Sequence, residues 1–321
     1  MNWIRGNAEM KYRRFGRTEI QMPVFSCGGM RYQQSWDDVE PSKVEEAGQR
    51  NLEATILKAL DLGIYHIETA RAYGSSEMQL GWILPKLPRE KLIVQTKVCP
   101  FSDTKTFQET FYTSLKNIRL KHVDLLSIHG INNAETLEWT MRKGGCLEAA
   151  RQFQKDGLCR HVGFSTHATP DVILKTVQTG AFDYVNLHWY FVGELNWESV
   201  LEAKRQDMGV FIISPNDKGG MLYAPPAKLV DLCKPFSPMV FNDLWCLSRP
   251  EIHTLSLGAA RPEDFDEHIR ALEFYDDAPT LLKPVETRLR EAMEECLGAD
   301  WCEGWWKGLP SSSSHALIGG L

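Results

Sequence analysis

Short apolar segments alternate with helical segments along most of the chain, and this alternation restricts the possible folds more than any other feature. Eight nearly wholly apolar segments follow one another at residues 24–27, 64–67, 92–96, 123–128, 161–164, 184–187, 210–213 and 254–257. Such segments are typical of parallel strands that are buried on both faces. All but the first and the seventh are followed promptly by a segment with helical periodicity. Eight strand–helix units within about 250 residues predict an α/β fold, a (β/α)8 TIM barrel.

The remaining segments suggest how the chain is divided. Residues 11–14 and 20–22 flank Gly16 and predict an N-terminal β-hairpin. The stretch after the seventh strand contains several prolines and is expected to be irregular. Helices are predicted at residues 51–62, 77–84, 106–118, 146–156, 171–179, 197–207 and 262–274. We therefore expect a barrel over residues 1–278, a C-terminal helical extension over 279–310 and a tail over 311–321.

An open doubly wound sheet is the alternative architecture for such a pattern. That fold carries a Gly-x-Gly-x-x-Gly turn after its first strand, because the close approach of a dinucleotide requires glycine there. Here the corresponding turn reads Gly28-Gly29-Met30-Arg31. The turn therefore favours the barrel.

Composition excludes several classes of protein. The 36 Lys and Arg residues against 42 Asp and Glu residues give a net charge of −6, so broad attraction to nucleic acid or anionic lipid is not expected. No apolar run approaches the ~20 residues that span a bilayer, and the first residues do not resemble a signal peptide. The eight cysteines contain no Cys-x-x-Cys pair, which disfavours a metal site such as zinc and a redox dithiol. A disulfide framework is not expected in a chain this long without an export signal. A cytoplasmic protein is expected.

Polar side chains occur where the predicted strands end. Glu68 and Tyr73 follow the second strand, Lys97 the third and His129 the fourth. In a barrel these strand ends meet at one mouth. A lysine ammonium near a tyrosine is expected to lower the pKa of Tyr73, and Glu68 can neutralise a buried Lys97. With a neutral His129 holding the substrate oxygen, the group predicts a general acid for a carbonyl that receives hydride from a cofactor.

Each of these residues also has a structural interpretation when it is considered alone. Tyr73 is compatible with an exposed loop, His129 with a hydrogen-bonded core histidine, and Glu68 with the start of a helix. Their occurrence at successive strand ends favours the catalytic interpretation.

The spacing of these residues resembles the aldo/keto reductase superfamily. The resemblance rests on the acidic residue, tyrosine and glycine within residues 66–77, then Lys97, then Ser127-Ile128-His129-Gly130. It is nearest to the predicted-oxidoreductase branch of cyanobacteria and bacteria, without the C-terminal iron–sulfur segment of that branch. The resemblance implies that Tyr73 is the acid/base, Lys97 its electrostatic partner and His129 the substrate-orienting residue. Glu68 stands where the family usually has aspartate.

The resemblance also implies a nicotinamide cofactor. Matching positions would bind the nicotinamide amide, the pyrophosphate and the adenosine end. They are Ser165, Asn186, Ser214, Asn216, Lys218, Gly258, Arg261 and Glu267. Arg261 is placed for a 2′-phosphate, because a guanidinium pairs a phosphate in bidentate fashion. NADPH is therefore the expected cofactor.

The function expected from the sequence is NADPH-dependent reduction of a small aldehyde, ketone or quinone to an alcohol. Two alternatives stay open. The barrel could bind nucleotide without catalysis, as a sensor or accessory subunit, or Lys97 could form a Schiff base in a lyase. Neither nucleic acid nor a membrane is an expected partner, and the sequence does not indicate the oligomeric state.

Overall fold

The eight predicted strands form a closed parallel barrel. The computed structural model of the protein describes residues 9–216 and 218–308, without the side chains of residues 218 and 219. The barrel strands are β3 Phe25–Gly28, β4 His66–Glu68, β5 Ile93–Val98, β6 Val123–His129, β7 Cys159–Ser165, β8 Tyr184–Leu187, β9 Gly209–Ile212 and β10 Thr254–Leu257. Each strand pairs in parallel with its sequence neighbours, and β10 closes the barrel against β3. The predicted (β/α)8 fold is confirmed.

Helices surround this barrel. They are α1 Glu46–Asp61, α2 Ser76–Leu80, α3 Thr104–Ile118, α4 Ala134–Met141, α5 Cys146–Lys155, α6 Pro170–Gln178, α7 Trp197–Arg205, α8 Ala227–Cys233, α9 Pro238–Leu247, α10 Phe265–Ala271, α11 Ala278–Leu281, α12 Lys283–Leu297 and α13 Ala299–Cys302. Each predicted helix is present, with ends that shift by up to several residues. Helix α4 was not predicted. Its first turn is held by Asn133 and Thr136, whose side chains form a capping box.

The predicted hairpin closes the bottom of the barrel. Strands β1 Tyr12–Arg14 and β2 Gln21–Pro23 pair in antiparallel register. Between them Phe15 enters the barrel and packs against Tyr184, with ring centroids 5.6 Å apart. Gly16 has a φ of +53°, and a Cβ there would lie 2.5 Å from the carbonyl oxygen of Asp207. Glycine is therefore required for the hairpin to approach the barrel this closely.

The stretch after β9 is not irregular, and the expectation that it would be was wrong. It contains α8 and α9, and two of its prolines lie where these helices begin. Pro226 precedes the first residue of α8, and Pro238 is the first residue of α9. Proline is compatible with this position because the first N–H groups of a helix have no intrahelical partner. The Ser237 hydroxyl accepts a hydrogen bond from the Val240 N–H at 3.2 Å and caps α9.

The C-terminal extension is helical as far as it is described. Helix α12 buries Val285 and Leu289 and packs on α8. The Arg288 side chain donates a hydrogen bond to the Leu232 carbonyl at 3.1 Å. The division at residue 278 stays a prediction, and the tail 311–321 lies outside the described residues. Among residues 9–216 and 218–308, no helix is both long and apolar enough to cross a bilayer.

Candidate active site

Strand register brings the predicted catalytic residues to one end of the barrel. Glu68 is the last residue of β4, His129 is the last residue of β6, and Lys97 lies one residue before the end of β5. The loop after β4 is tied to β5, because the Arg71 N–H donates to the Lys97 carbonyl at 2.9 Å. This loop carries Tyr73 above the barrel mouth. All four residues therefore meet there, as the sequence predicts.

Lys97 is the centre of this group. Its side chain is 1% exposed and forms an ion pair with Glu68, which is 4% exposed. The ammonium also donates to the Thr69 carbonyl at 3.0 Å and to the Tyr73 hydroxyl at 3.2 Å. Glu68 accepts a further hydrogen bond from the Ser256 hydroxyl at 3.2 Å. The buried charge of Lys97 is thus neutralised and hydrogen-bonded, which a buried ion pair requires.

The tyrosine and lysine titrate differently from the sequence expectation. Burial raises the pKa of Tyr73 above its ordinary value and lowers the pKa of Lys97 well below it. The expectation of a lowered pKa for Tyr73 was therefore wrong. The physical reason is that burial excludes water from the phenol, and this outweighs any stabilisation of the phenolate by Lys97. Tyr73 is held protonated at neutral pH and is able to act as an acid.

His129 is held neutral beside Tyr73. Burial, with smaller contributions from Lys97 and His167, lowers the pKa of His129 to about 3. Its ring lies edge-on to the Tyr73 ring, with centroids 5.8 Å apart. A neutral imidazole carries one N–H, which is able to donate to an oxygen held at the mouth.

A cleft of about 540 Å³ opens above these residues. One wall is formed by Trp36, whose ring meets Tyr73 edge-on at 6.2 Å. Polar groups from several strand ends line the rest. The residues that line the cleft include Gly28, Arg31, Glu68, Tyr73, His167, Ser214, Asn216, Gly220, Ser256 and Gly258. The cleft therefore joins the predicted catalytic residues to part of the predicted cofactor site.

Ser165 and Asn186 lie side by side on β7 and β8, and both are buried. The Ser165 hydroxyl and both polar atoms of the Asn186 amide have no hydrogen-bond partner among the described residues. Neither residue is among those that line the cleft. Unpaired buried polar atoms are costly, so these atoms remain able to pair with a ligand that reaches this end of the barrel. This is the behaviour expected of residues that bind an amide.

Asn216 is held by a buried network. Its amide N–H groups donate to the Tyr223 hydroxyl at 2.9 Å and face His268 Nε2 at 3.2 Å. His268 Nδ1 lies 2.5 Å from Asp243, and both of these side chains are fully buried. The side-chain amide oxygen Oδ1 of Asn216 has no partner within the described part of the chain. Asp243 was missed in the sequence because it lies within α9, which was not predicted.

The other predicted cofactor residues do not all lie in the cleft. Ser214 and Gly258 line the cleft. The Arg261 side chain is 70% exposed, and its Nε donates to Asp264 at 3.2 Å. Glu267 is half-buried on α10. The side chain of Lys218 lies outside the described residues. Neither Arg261 nor Glu267 lines the cleft.

Arg31 lines the cleft and was not predicted as a functional residue. It lies between β3 and α1, in a loop without regular structure, and no local pattern distinguishes it there. Within residues 9–216 and 218–308, no group of three or more His, Cys, Asp or Glu side chains is arranged to hold a metal ion. His167 and His188 contact each other at 2.7 Å between ring nitrogens.

Comparisons with known proteins agree with this architecture. A sequence profile of the Aldo/keto reductase family matches residues 25–173. An aldo-keto reductase from Mycolicibacterium vanbaalenii is 32% identical over 244 residues, which cover 72% of this chain and 81% of that protein. A Schizosaccharomyces pombe protein named as a voltage-gated potassium channel subunit beta is 24% identical over 333 residues, covering 86% of this chain and 92% of that protein.

A solved structure shows the same fold. The aldo-keto reductase from Klebsiella pneumoniae, in complex with NADPH, superposes with a TM-score of 0.65 at 15% identity, covering 85% of this chain and 95% of that chain. The fold and the site together define a (β/α)8-barrel oxidoreductase. The chain belongs to the aldo/keto reductase family. It is an NAD(P)H-dependent enzyme that reduces carbonyl compounds.

Proposed function

We propose that the protein reduces a small aldehyde, ketone or quinone with NADPH, and that Tyr73 donates the proton. The observation that carries this proposal is the Tyr73 hydroxyl at the cleft, 3.2 Å from the buried ammonium of Lys97. A bound nicotinamide supplies hydride to the carbonyl carbon. Tyr73 gives its proton to the carbonyl oxygen as negative charge develops there.

The other three residues support this proton transfer. The Lys97 ammonium stabilises the phenolate that Tyr73 becomes, because the two groups are already in contact. Glu68 keeps Lys97 charged while it is buried. His129 donates its single N–H to the carbonyl oxygen and orients the substrate. Its pKa of about 3 keeps it neutral over the physiological range.

The cofactor proposal rests on polar atoms that need a partner. Ser165 and Asn186 present a hydroxyl and an amide that are buried and unpaired within the described residues. A carboxamide has both a donor and an acceptor, so it matches this pair. Arg261 favours NADPH over NADH, since the nitrogens not bound to Asp264 remain exposed for a phosphate. Glu267 and Lys218 are proposed to contact the adenosine and pyrophosphate portions.

A second candidate function is nucleotide binding without catalysis, as an accessory subunit. One relative is named as a channel subunit, and this observation favours the alternative. A Schiff-base lyase is disfavoured, because the Lys97 ammonium is buried and already contacts Glu68, Thr69 and Tyr73. A nucleophilic lysine must instead be reachable by its substrate.

The test is an assay of a panel of aldehydes, ketones and quinones with NADPH and NADH side by side. The Tyr73→Phe variant should lower kcat by at least ~100-fold while the Kd for NADPH is retained, because the hydroxyl acts only in the chemical step. Tyr112→Phe is the matched control, since Tyr112 is an exposed tyrosine on α3. Near-normal kcat in Tyr73→Phe would contradict the assignment. Nucleotide binding without turnover on the whole panel would favour the accessory subunit, and borohydride trapping on Lys97 the lyase.

A further inference from the structure

Arg31 is the only arginine or lysine among the described residues that line the cleft. The other strongly charged side chain there is Glu68, and Lys97 already neutralises it. Any negatively charged portion of a ligand in this cleft therefore meets one guanidinium. The protein as a whole is acidic, so general electrostatic attraction does not replace that local charge.

The guanidinium of Arg31 is held in place from two sides. Its Nη1 donates to the Gly258 carbonyl at 2.7 Å, which ties it to the loop after β10. Its carbon Cζ lies 4.8 Å from the centroid of the Tyr223 ring, and Tyr223 ends the 3-10 segment after β9. Asp264 approaches Nη1 at 4.0 Å. Arg31 therefore joins the two loops that border the cleft.

Two glycines leave the space that Arg31 occupies. A Cβ at Gly258 would lie 3.0 Å from Cδ of Arg31, and a Cβ at Gly220 would lie 2.9 Å from its Nη1. The Arg31 side chain is 29% exposed, and its Nε and Nη2 make no hydrogen bond with the described residues. Two nitrogens of the guanidinium thus remain for a ligand, in the geometry that suits a phosphate.

We propose that Arg31 binds the pyrophosphate of the dinucleotide, an inference that rests on the proposed function. The position along the cleft favours pyrophosphate over the 2′-phosphate. Arg31 lies between the loops that contain Ser214 and Gly258, in the same cleft as Tyr73. Arg261 lies outside that cleft. The pyrophosphate is the part of the cofactor between the reactive ring and the adenosine, so a cation inside the cleft of Tyr73 suits it better than one outside that cleft.

The test compares ligands that share or lack the pyrophosphate. Binding of NADPH, NADH, ADP-ribose and adenosine is measured for Arg31→Met, which keeps an apolar stem against Tyr223. We expect the Kd for NADPH, NADH and ADP-ribose to rise by the same factor, about 10- to 100-fold, and adenosine binding to stay unchanged. Arg31→Lys retains the charge and should recover part of the affinity. Arg205→Met is the control, since Arg205 is an exposed arginine that pairs only with Glu202 among the described residues.

The remaining outcomes overturn the inference in different ways. Weaker binding of NADPH but not of NADH would assign Arg31 to the 2′-phosphate. Equal loss for adenosine would mean that Arg31 only shapes the cleft. Unchanged Kd values in a folded Arg31→Met variant would remove Arg31 from the site and leave the proposed function intact. If the unaltered protein binds none of the dinucleotides, the proposed function itself fails.

Discussion

Replacing Glu68 with glutamine tests the centre of the site, because it removes the counter-charge of Lys97 and keeps the size of the side chain. Both groups of the ion pair are nearly fully buried, so solvent does not compensate the loss. Breaking one partner of a buried pair costs about 3–5 kcal/mol of unfolding free energy. In a chain of 321 residues that corresponds to a fall in Tm of roughly 4–7 °C. Glu109→Gln is the matched control, since Glu109 pairs with Lys105 in an exposed position and should cost under about 1 kcal/mol.

The same substitution has a signature in the pH dependence of kcat. Burial already lowers the pKa of Lys97, and without Glu68 the ammonium is less favourable still. The ammonium is lost as pH rises through that pKa, so the basic limb of the pH–rate profile should move to lower pH. We also expect kcat at neutral pH to fall by about 100-fold or more. Glu68→Asp keeps the charge and should leave the limb in place. A lower Tm in Glu68→Gln with an unmoved basic limb would refute the reasoning and reduce Glu68 to a structural role.

Three further predictions concern the cofactor and acid stability. Arg261→Ala should raise the Kd for NADPH and leave the Kd for NADH unchanged. The rise is expected to be only about 10-fold, because the Arg261 guanidinium already donates to Asp264. Equal Kd values for both cofactors in the unaltered protein would contradict this prediction. Asn186→Leu should weaken NADPH binding. Without cofactor it should raise the free energy of unfolding by about 1–3 kcal/mol, since it removes buried unpaired atoms. A less stable variant would show that the amide has a structural role. Burial lowers the pKa of His66 to about 3, so the unfolded chain binds a proton below pH 6.5 that the folded chain does not. His66 should therefore lower the free energy of unfolding by about 2 kcal/mol as the pH falls from 6.5 to 5. In denaturant titrations at several pH values, His66→Gln should remove this part of the pH dependence of stability.

The sequence located all eight barrel strands but ended several of them too early. The apolar pattern stops before Glu68, Lys97, His129 and Ser165, whereas strands β4 to β7 continue through these residues. A polar residue at the end of a buried strand breaks the pattern that predicts the strand. The predicted boundaries therefore fell where the candidate site residues begin. This also explains how these candidates could be recognised in the sequence.

Other features depended on contacts that the sequence does not display. Helices α8 and α9 were missed because prolines were read as breakers, although Pro226 and Pro238 lie at helix starts. Arg31 was missed because its partners, Gly258 and Tyr223, are distant in the chain. The direction of the pKa shift of Tyr73 was wrong because its burial could not be read from spacing alone.

The site contains two kinds of buried polar group, one paired and one unpaired. Substitutions in the two kinds should change stability in opposite directions while both reduce function. Lys97 and Glu68 satisfy each other, so removing either should lower both Tm and activity. The side-chain polar atoms of Ser165 and Asn186 have no hydrogen-bond partner among the described residues, so removing them should lower cofactor binding while stability is kept or raised. A merely structural set of buried polar residues would lose stability at every position. The change in Tm should therefore be measured for substitutions of Asn186 and of Glu68 side by side. An unchanged or higher Tm indicates a residue that binds a ligand, and a lower Tm indicates a residue that stabilises the fold.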